Sequence, residues 1–449
     1  MKRFSVVILL LAVAFALLQL ARPGIPSQPA TAEVQAPPEV RQVLQKSCYS
    51  CHSDERKLAW FDEIVPAYWL VRHDVLTARQ HLNFSTLGSK PAAAQRATLF
   101  EAVNMIQLGT MPLPSFRKLH PEAEITPADM AALKNYLAPW SIKPPHAAAT
   151  LQNARQAPVN LDAVQPEFNG QAFDAAFEGW KLLSITDRGD NNTLRVILGN
   201  EITMQAVQKG NLSPWPDGAR IAKIAWQQQT GEDGLIYPGS FVQVELMVKD
   251  HAHYKDTEGW GWGRWRGFGL TPYGKDGAFV YECTSCHLPV RGNDYVYTLP
   301  ITSAAAGGEE IVNRRAAALP ANLLPYQPLD WNVITTYVDP ERRTTSVLFG
   351  NDEAMKAVDA RGPMARSAQY PVGAVLSLAT WAQRDDPHWF GARIPDAPVS
   401  VEFVQIASTG QDGVYRRFVG PGLAEQHPTA EDAAKRTHFV ETLARARLP

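Results

Sequence analysis

The chain opens with two basic residues and then a long stretch of apolar positions. Lys2 and Arg3 precede an apolar run from Phe4 to Leu20, which contains Gln19 near its end. This order is typical of an export segment, although the run lies at the short edge of what spans a bilayer. The small-residue site at 30–32 lies far downstream for cleavage. We therefore predict an uncleaved membrane anchor over residues 1–24, with a removed signal peptide as the alternative.

A proline-rich segment separates this run from the first helical pattern. Residues 25–37 are predicted to form an extended tether. From Pro38 onward, Val40, Val43 and Leu44 recur at helical spacing. Further along, Thr126 suits an N-cap and Pro127 suits the first helical position. The pattern predicts a small all-α domain over residues 38–142, followed by a linker over residues 143–164.

The pattern changes to strands after the linker. Three segments alternate and are rich in branched residues, namely LRVILGN (194–200), ARIAKIAW (219–226) and FVQVELMVKD (241–250). Glycines and aromatic residues follow in EGWGWGRWRGFG (258–269). We predict a β-rich domain over residues 165–300, built from an antiparallel sheet with helices.

The segment that follows repeats this pattern. DWNVITTYVDPERRTTSVLFGN (330–351) aligns without a gap with GWKLLSITDRGDNNTLRVILGN (179–200). Further matches follow in order at 370–381 and 399–406. Chance similarity among strands is the alternative, but an ungapped match followed by ordered ones favours an internal repeat. We predict a second β-rich domain in tandem over residues 301–425 and a helical tail over residues 426–449.

Composition narrows the class of protein. The chain has 449 residues, which fits two to four domains. Its net charge is −2, without a long basic or acidic block, so nucleic acid is not an expected partner.

The cysteines are confined to two short motifs. The chain has 4 cysteines, and they form C-x-x-C-H twice, at Cys48, Cys51 and His52 and again at Cys283, Cys286 and His287. In this motif the thiols attach haem covalently and the histidine becomes the proximal iron ligand. A redox pair or half of a zinc site is the alternative, but zinc would need further ligands beside each pair. We predict two covalently bound c-type haems.

A methionine supplies a candidate second ligand for the first haem. Met111 lies in the Gly/Pro-rich stretch IQLGTMPLP, before the closing helix. Histidine and methionine ligation closes both axial positions and raises the potential, which suits electron transfer. A packing role is the alternative for Met111, and Met105 and Met130 are weaker candidates because their flanks are helical in pattern.

The second motif lacks such a ligand. After His287 no methionine follows until Met355, in the next segment, and Met247 falls on a predicted strand where a core role is expected. The simplest inference is iron with an open position that binds or transforms a small ligand.

The helical segment resembles the bacterial haem-binding domain that carries one C-x-x-C-H after an N-terminal membrane segment. The resemblance covers about residues 34–142. It rests on CYSCHSDE (48–55), FDEIVPAYWLV (61–71), HLNFS (81–85) and TMPLPSFRKLHPEAEIT (110–126). The stretch RKLAW (56–60) departs from the family, whose members usually have a threonine and Trp-Pro there.

The strand-rich segment resembles the cytochrome P-460 family over about residues 165–300. Members are β-rich, carry the attachment motif late, oxidise hydroxylamine and are typically homodimers. The matching stretches are GWKLL (179–183), RVILGN (195–200), WPDGARIAKIAW (215–226), MVKD (247–250), GWGWGRW (259–265), ECTSCH (282–287) and NDYVYTLP (293–300). Relatives of the cytochrome c-prime-beta type share this fold and a lysine at the corresponding place, but without the cross-link described next.

This resemblance implies two further site residues. The family's lysine that is cross-linked to the haem matches Lys223, and its arginine over the distal face matches Arg195. A lysine on an apolar strand is costly unless it is paired or neutral, and an arginine offers fixed donors to a small nitrogen ligand. A lysine that reaches solvent and an arginine in a surface salt bridge are the alternatives. Glu245 and Asp250 are candidate supporting acids, with structural roles as the alternative.

The repeat lacks these residues. Ser346 stands where Arg195 stands, Leu378 stands where Lys223 stands, and no C-x-x-C-H follows. We expect the second β-rich domain to keep the fold without haem and to pack on the first as a built-in dimer partner.

These observations favour a periplasmic, membrane-anchored dihaem oxidoreductase. Its expected substrate is hydroxylamine or a related small nitrogen species, and its electrons would leave through the first haem to a redox protein or a quinol-linked chain. A nitric-oxide or gas-binding protein and a pure electron carrier are the rival hypotheses.

Overall fold

The computed structural model describes residues 2–55, 57–141, 159–303, 308, 311–360, 370–407, 414–446 and 448–449. The chain forms two compact units, Met1–Pro139 and Trp140–Pro449. The linker was predicted over residues 143–164. Its part up to residue 158 lies outside the described residues, whereas Val159, Leu161 and Val164 pack against the core of the second unit.

The first unit is helical, as the sequence pattern predicted. Its helices are α1 (Lys2–Leu18), α2 (Pro38–Ser47), α3 (Tyr49–His52), α4 (Ala67–His81), α5 (Ala92–Gln107), α6 (Pro114–Leu119) and α7 (Pro127–Ser141). Val40, Val43 and Leu44 are buried on α2. The Thr126 hydroxyl accepts a hydrogen bond from the Asp129 amide at 3.1 Å, which confirms the predicted N-cap of α7. Among the described helices, none is long and apolar enough to cross a membrane.

The proline-rich segment at 25–37 is extended, but it is not a tether. Ile25 is buried against Val65, Tyr68 and Val75. The Thr31 amide donates a hydrogen bond to the Ser85 carbonyl at 3.1 Å. The prediction of a tether was therefore wrong, because apolar side chains between the prolines fasten this segment to the helical unit.

The second unit combines twelve described strands with four helices. The strands of its first half are β1 (Lys181–Arg188), β2 (Thr193–Gly199), β3 (Arg220–Thr230), β4 (Ile236–Lys249), β5 (Trp260–Arg266) and β6 (Thr271–Pro272). Those of its second half are β7 (Asn332–Asp339), β8 (Thr344–Gly350), β9 (Val375–Asp385), β10 (Ala392–Gln405), β11 (Val414–Val419) and β12 (Ala424–Gln426). The helices are α8 (Glu201–Lys209), α9 (Ala278–His287), α10 (Asp352–Ala360) and α11 (Ala430–Thr442).

The strands join in one antiparallel sheet that closes on itself. Its order runs β1-β2-β3-β4-β7-β8-β9-β10, and β10 pairs back with β1. Inside the ring lies one apolar core to which both halves contribute, with Trp226 and Val244 from the first and Phe349, Trp381 and Phe403 from the second. The two β-rich segments were predicted as separate domains, but they form one compact unit because they bury this face together.

The two halves repeat the same strand register. Ile197 pairs with Lys223, which pairs with Glu245, and in the second half Leu348 pairs with Leu378, which pairs with Glu402. The asparagine that caps the following helix repeats as well. Asn200 and Asn351 each accept from an amide three residues on, at 3.0 Å, and each donate to a glycine carbonyl. The repeat seen in the sequence is therefore present in the backbone.

The junctions between the halves are also related. Asp187 on β1 pairs with Arg393 on β10, and Val338 on β7 pairs with Ile236 on β4. In the repeat alignment Val338 corresponds to Asp187, and Ile236 corresponds to Arg393. The same contact is therefore made twice with the roles exchanged, which is the arrangement of a two-fold dimer within one chain.

Each half also has an outer face that is covered by helices. In the first half an outer cluster includes Ile197 and Ile221 from the sheet, Val207 from α8 and Cys283 from α9. In the second half the corresponding cluster includes Leu348, Leu378, Val358 from α10 and Val440 from α11. The predicted C-terminal tail is thus helical, but it covers the sheet of the second half.

We predict that a chain ending at residue 305 will dimerise or aggregate. The truncation removes half of the ring and exposes the apolar face that Trp226 and Val244 share with the second half. Light scattering after gel filtration gives the measurement. A monomeric, soluble product with unchanged thermal stability would show that the second half is not needed to cover this face.

Candidate haem sites

The first C-x-x-C-H lies on a single helical turn. The His52 amide donates to the Cys48 carbonyl at 2.9 Å, which holds both cysteines and the histidine on one short turn. The imidazole Nδ1 lies 3.0 Å from the Leu82 carbonyl oxygen and donates to it in the neutral tautomer that this contact selects. This orientation leaves Nε2 available to a metal, as in other metal-bound histidines.

The electrostatics of this turn fit haem better than redox chemistry. Burial raises the pKa of Cys48 to about 12 and that of Cys51 to about 11. Reactive C-x-x-C pairs have lowered thiol pKa values instead. Burial also lowers the pKa of His52, which keeps the imidazole in the neutral form that binds a metal.

The three candidate methionines differ in their local structure. Met105 lies on α5, where its sulfur accepts a hydrogen bond from the Thr110 hydroxyl at 3.7 Å, and Met130 lies on α7. Met111 is half-buried in the turn between α5 and α6, with its amide bonded to the Met105 carbonyl. Of the three, only Met111 lies outside a helix, so ligation by Met111 stays our prediction.

Sequence analysis missed a buried histidine at the end of α6. His120 is 5 % exposed, and its Nε2 lies 3.0 Å from a carboxylate oxygen of Asp62. Its Nδ1 lies 3.1 Å from Glu122, and its ring stacks on Phe116. Because both ring nitrogens have carboxylate partners, His120 is not a candidate iron ligand in this arrangement.

The second C-x-x-C-H repeats the histidine geometry on a different fold. It ends α9, where Cys283 is buried against the outer face of the first half. The His287 Nδ1 lies 2.7 Å from the Tyr295 carbonyl oxygen, so Nε2 is again the available atom. Burial, with a smaller effect from Lys223 and Arg264, lowers the pKa of His287 to about 3 and keeps it neutral.

A row of charged side chains crosses the sheet next to α9. Lys223, Glu245 and Arg264 are register partners on β3, β4 and β5. The Lys223 ammonium forms an ion pair with Glu245, and the Arg264 Nε lies 2.7 Å from the other Glu245 oxygen. Arg264 also reaches Glu282 on α9 at 3.1 Å. The row therefore connects the sheet with the helix that carries the attachment motif.

Lys223 lies in an unusual environment for a lysine. Burial lowers its pKa well below the ordinary value, and the guanidinium groups of Arg195, Arg264 and Arg188 lower it further. The contact with Glu245 acts in the opposite direction, because a carboxylate favours the charged amine. Its side chain keeps 31 % of its exposure and is therefore only partly buried.

Arg195 lies on the same face of the neighbouring strand. Its Nε donates to the Thr193 hydroxyl at 3.2 Å, and in the described part of the chain no carboxylate lies within ion-pair distance of it. Burial, followed by repulsion from Arg188, lowers its pKa to about 9. The surface salt bridge considered as an alternative is therefore not formed, and the remaining donors of the guanidinium are available to a ligand.

The remaining polar, aromatic and methionine side chains near the second motif differ in how close they lie to His287. Asp250 is 41 % exposed and accepts the amides of Ala252 and His253, so it stabilises a turn. Trp260, Trp262 and Trp265 are all buried, and the Trp262 ring lies 4.6 Å from that of His287. Met247, expected as core, pairs across the sheet with Trp262 and packs in the same outer cluster as Cys283. Because Met247 lies two residues from Glu245 on the same strand, the sequence could have placed both side chains on one face of the sheet.

The matching face of the second half has no such row. Ser346 and Leu378 are fully buried at the positions of Arg195 and Lys223. Glu402 is kept at the position of Glu245, but its carboxylate binds Arg436 of α11 at 2.7 and 2.9 Å. Side chains of α11 therefore fill this face.

Comparison with known families supports the assignment of both regions. Residues 8–139 match the family model "Haem-binding domain", and residues 175–298 match the family model "Cytochrome P460". The chain is thus a haem cytochrome that combines these two kinds of domain. Neither match extends into the second half of the sheet. No curated protein matches the chain.

We predict that Met111→Ala opens the first iron. Loss of the thioether should lower the reduction potential and allow carbon monoxide to bind to the reduced haem. Absorption spectra before and after addition of carbon monoxide provide the measurement, with Met130→Leu on α7 as the control. Spectra identical to those of the unsubstituted protein would exclude Met111 as a ligand.

Proposed function

We propose that this protein is an exported dihaem c-type cytochrome that oxidises hydroxylamine or a related small nitrogen species. The observation that carries the proposal is the partly buried Lys223 beside the α9 attachment motif. Its ammonium pairs with Glu245, and Arg264 binds the same carboxylate. Export is inferred from the N-terminal pattern of Lys2, Arg3 and the apolar run.

The residues present fit haem at the second site. Cys283, Cys286 and a histidine with an available Nε2 lie on α9, beside the partly exposed Lys223. Haem bound there supplies an iron that accepts electrons from a small coordinated ligand. Cys48, which caps α3, and Cys51 and His52 on it would hold the other haem, which would supply electron transfer to a redox partner.

The surrounding side chains have separate roles in this proposal. Arg195 offers unpaired donors that orient a small nitrogen ligand. Glu245 would orient the Lys223 amine toward the haem edge and would accept its proton where the amine is neutral. Loss of the ammonium charge also removes the cost of burying it among three guanidinium groups.

We further propose that residues 301–425 are a degenerate cytochrome P460 domain. The repeated register and helix cap support common descent of the halves. Leu378 and Ser346 remove the amine and the guanidinium, and α11 covers the face.

A ligand-binding protein of the cytochrome c-prime-beta type is the second candidate. The Lys223–Glu245 ion pair favours it, because a lysine held by a carboxylate is stable without a covalent bond. An electron carrier is the third candidate, because Met247 lies on the same face as Cys283 and has a thioether to offer.

We predict that peptide mass spectrometry will find haem attached to Cys283, Cys286 and Lys223 together. Lys223→Leu should keep the two thioether bonds but lower the rate of hydroxylamine oxidation by about 100-fold, because the environment of the iron changes. The exposed Lys209→Leu on α8 is the matched control and should leave the rate unchanged.

The absorption spectrum of the reduced protein separates the candidates independently. A strongly red-shifted second Soret band supports the cross-linked enzyme. A haem peptide with only two thioether bonds, together with activity unaffected by Lys223→Leu, would place the protein in the ligand-binding class.

A further inference from the structure

The loop between β9 and β10 belongs to the second half of the sheet but contacts the candidate site of the first. It spans residues 386–391 and lies next to the β1–β10 junction, where Arg188 pairs with Ala392. The His388 Nδ1 lies 2.7 Å from the Tyr297 carbonyl oxygen. The Trp389 ring lies 5.7 Å from the Tyr297 ring in an edge-to-face arrangement.

Tyr297 connects this loop with the attachment motif. Its ring lies 5.1 Å from the His287 ring, edge to face. Its hydroxyl donates to the Cys286 carbonyl at 2.7 Å. The loop thus holds, through one side chain, both the proposed iron ligand and a cysteine that would bind the haem.

The same loop fixes a buried charge near the lysine and arginine of the site. Arg188 donates to Asp190 through Nε at 2.6 Å, and its guanidinium lies 4.3 Å from the centre of the Trp389 ring. The Trp389 Nε1 donates to Asp190 at 3.2 Å. Because Arg188 is buried, its position depends on these contacts, and its charge acts on both Lys223 and Arg195.

The symmetry of the two halves shows that packing between them does not by itself require a histidine and a tryptophan in this loop. The mirror loop between β3 and β4 reads GEDGL (231–235) and has neither histidine nor tryptophan. Its Leu235, with Tyr237, packs against the apolar outer cluster of the second half. The 231–235 loop therefore contacts the second half through the apolar Leu235, whereas the 386–391 loop contacts Tyr297, beside His287, through a histidine and a tryptophan.

We propose that His388 and Trp389 are positioning residues for the haem at His287. The second half thus completes the site of the first, in addition to covering its apolar face. His388 and Trp389 set the placement of Tyr297 against His287, and Trp389 sets the placement of Arg188. This rests on the part of the proposed function that puts haem on His287, but not on hydroxylamine being the substrate.

The test uses carbon monoxide as a probe of the reduced full-length protein. Trp389→Leu and His388→Leu should each change the carbon monoxide dissociation constant by about tenfold and shift the absorption bands, because outer contacts of a metal ligand tune the metal. His388→Gln keeps an N–H donor for the Tyr297 carbonyl and should restore the dissociation constant. Leu235→Ala in the mirror loop is the matched control, and should lower the unfolding temperature without changing the dissociation constant.

The outcomes are distinct. Unchanged dissociation constants and spectra in both leucine variants overturn the proposal, as does an equal change in Leu235→Ala. Loss of haem from a chain that stays folded by circular dichroism supports it. If Trp389→Leu does not fold, the comparison of His388→Leu with His388→Gln decides, because the two differ in one hydrogen bond. Failure of the unsubstituted protein to oxidise hydroxylamine would reject the proposed reaction and leave this result intact.

Discussion

Burial of one apolar face by two half-sheets is the constraint on which the second unit depends. Each half presents to the interior of the ring side chains such as Trp226 or Trp381, which neither half covers alone. Closure through the β1–β10 and β4–β7 junctions also pairs the backbone groups at the edges of both halves. Because the interior is shared, the two outer faces are free to differ.

The outer faces of the two halves differ in their charged side chains. In the first half, a lysine, a glutamate and an arginine form one row across three strands beneath α9. The glutamate pairs with both cations of this partly buried row, which makes its geometry specific. In the second half, Leu378 replaces the lysine, and Arg436 from α11 binds the glutamate that remains. A face with a row of charged side chains and a face covered by a helix thus arise from the same strand register.

The two attachment motifs converge on one feature in unrelated surroundings. His52 is held by the carbonyl of Leu82 in a helical unit, and His287 is held by that of Tyr295 beside a sheet. In both, a backbone oxygen selects the tautomer and presents Nε2. The sites differ in their other candidate groups: Met111 is the proposed second ligand of the first, and a row of charged groups lies beside α9 at the second.

The sequence by itself determined the features that depend on local spacing. Four cysteines in two pentapeptides, the helical pattern at Val40, Val43 and Leu44, and the ungapped repeat are all visible without a fold. The strand positions of Arg195 and Lys223, and their replacement by Ser346 and Leu378, followed from the same alignment. These predictions hold because side-chain periodicity and strand register are properties of short segments.

Only the tertiary structure decided which distant segments meet. Strands such as β8 are buried on both faces, and such a pattern does not say whether the second face meets a helix or another sheet. The ring closure, the packing of Ile25 and the cover provided by α11 therefore could not be predicted. The contact of His388 and Trp389 with Tyr297 depends on the junction between the halves, because residues about ninety positions apart become neighbours only when the ring closes.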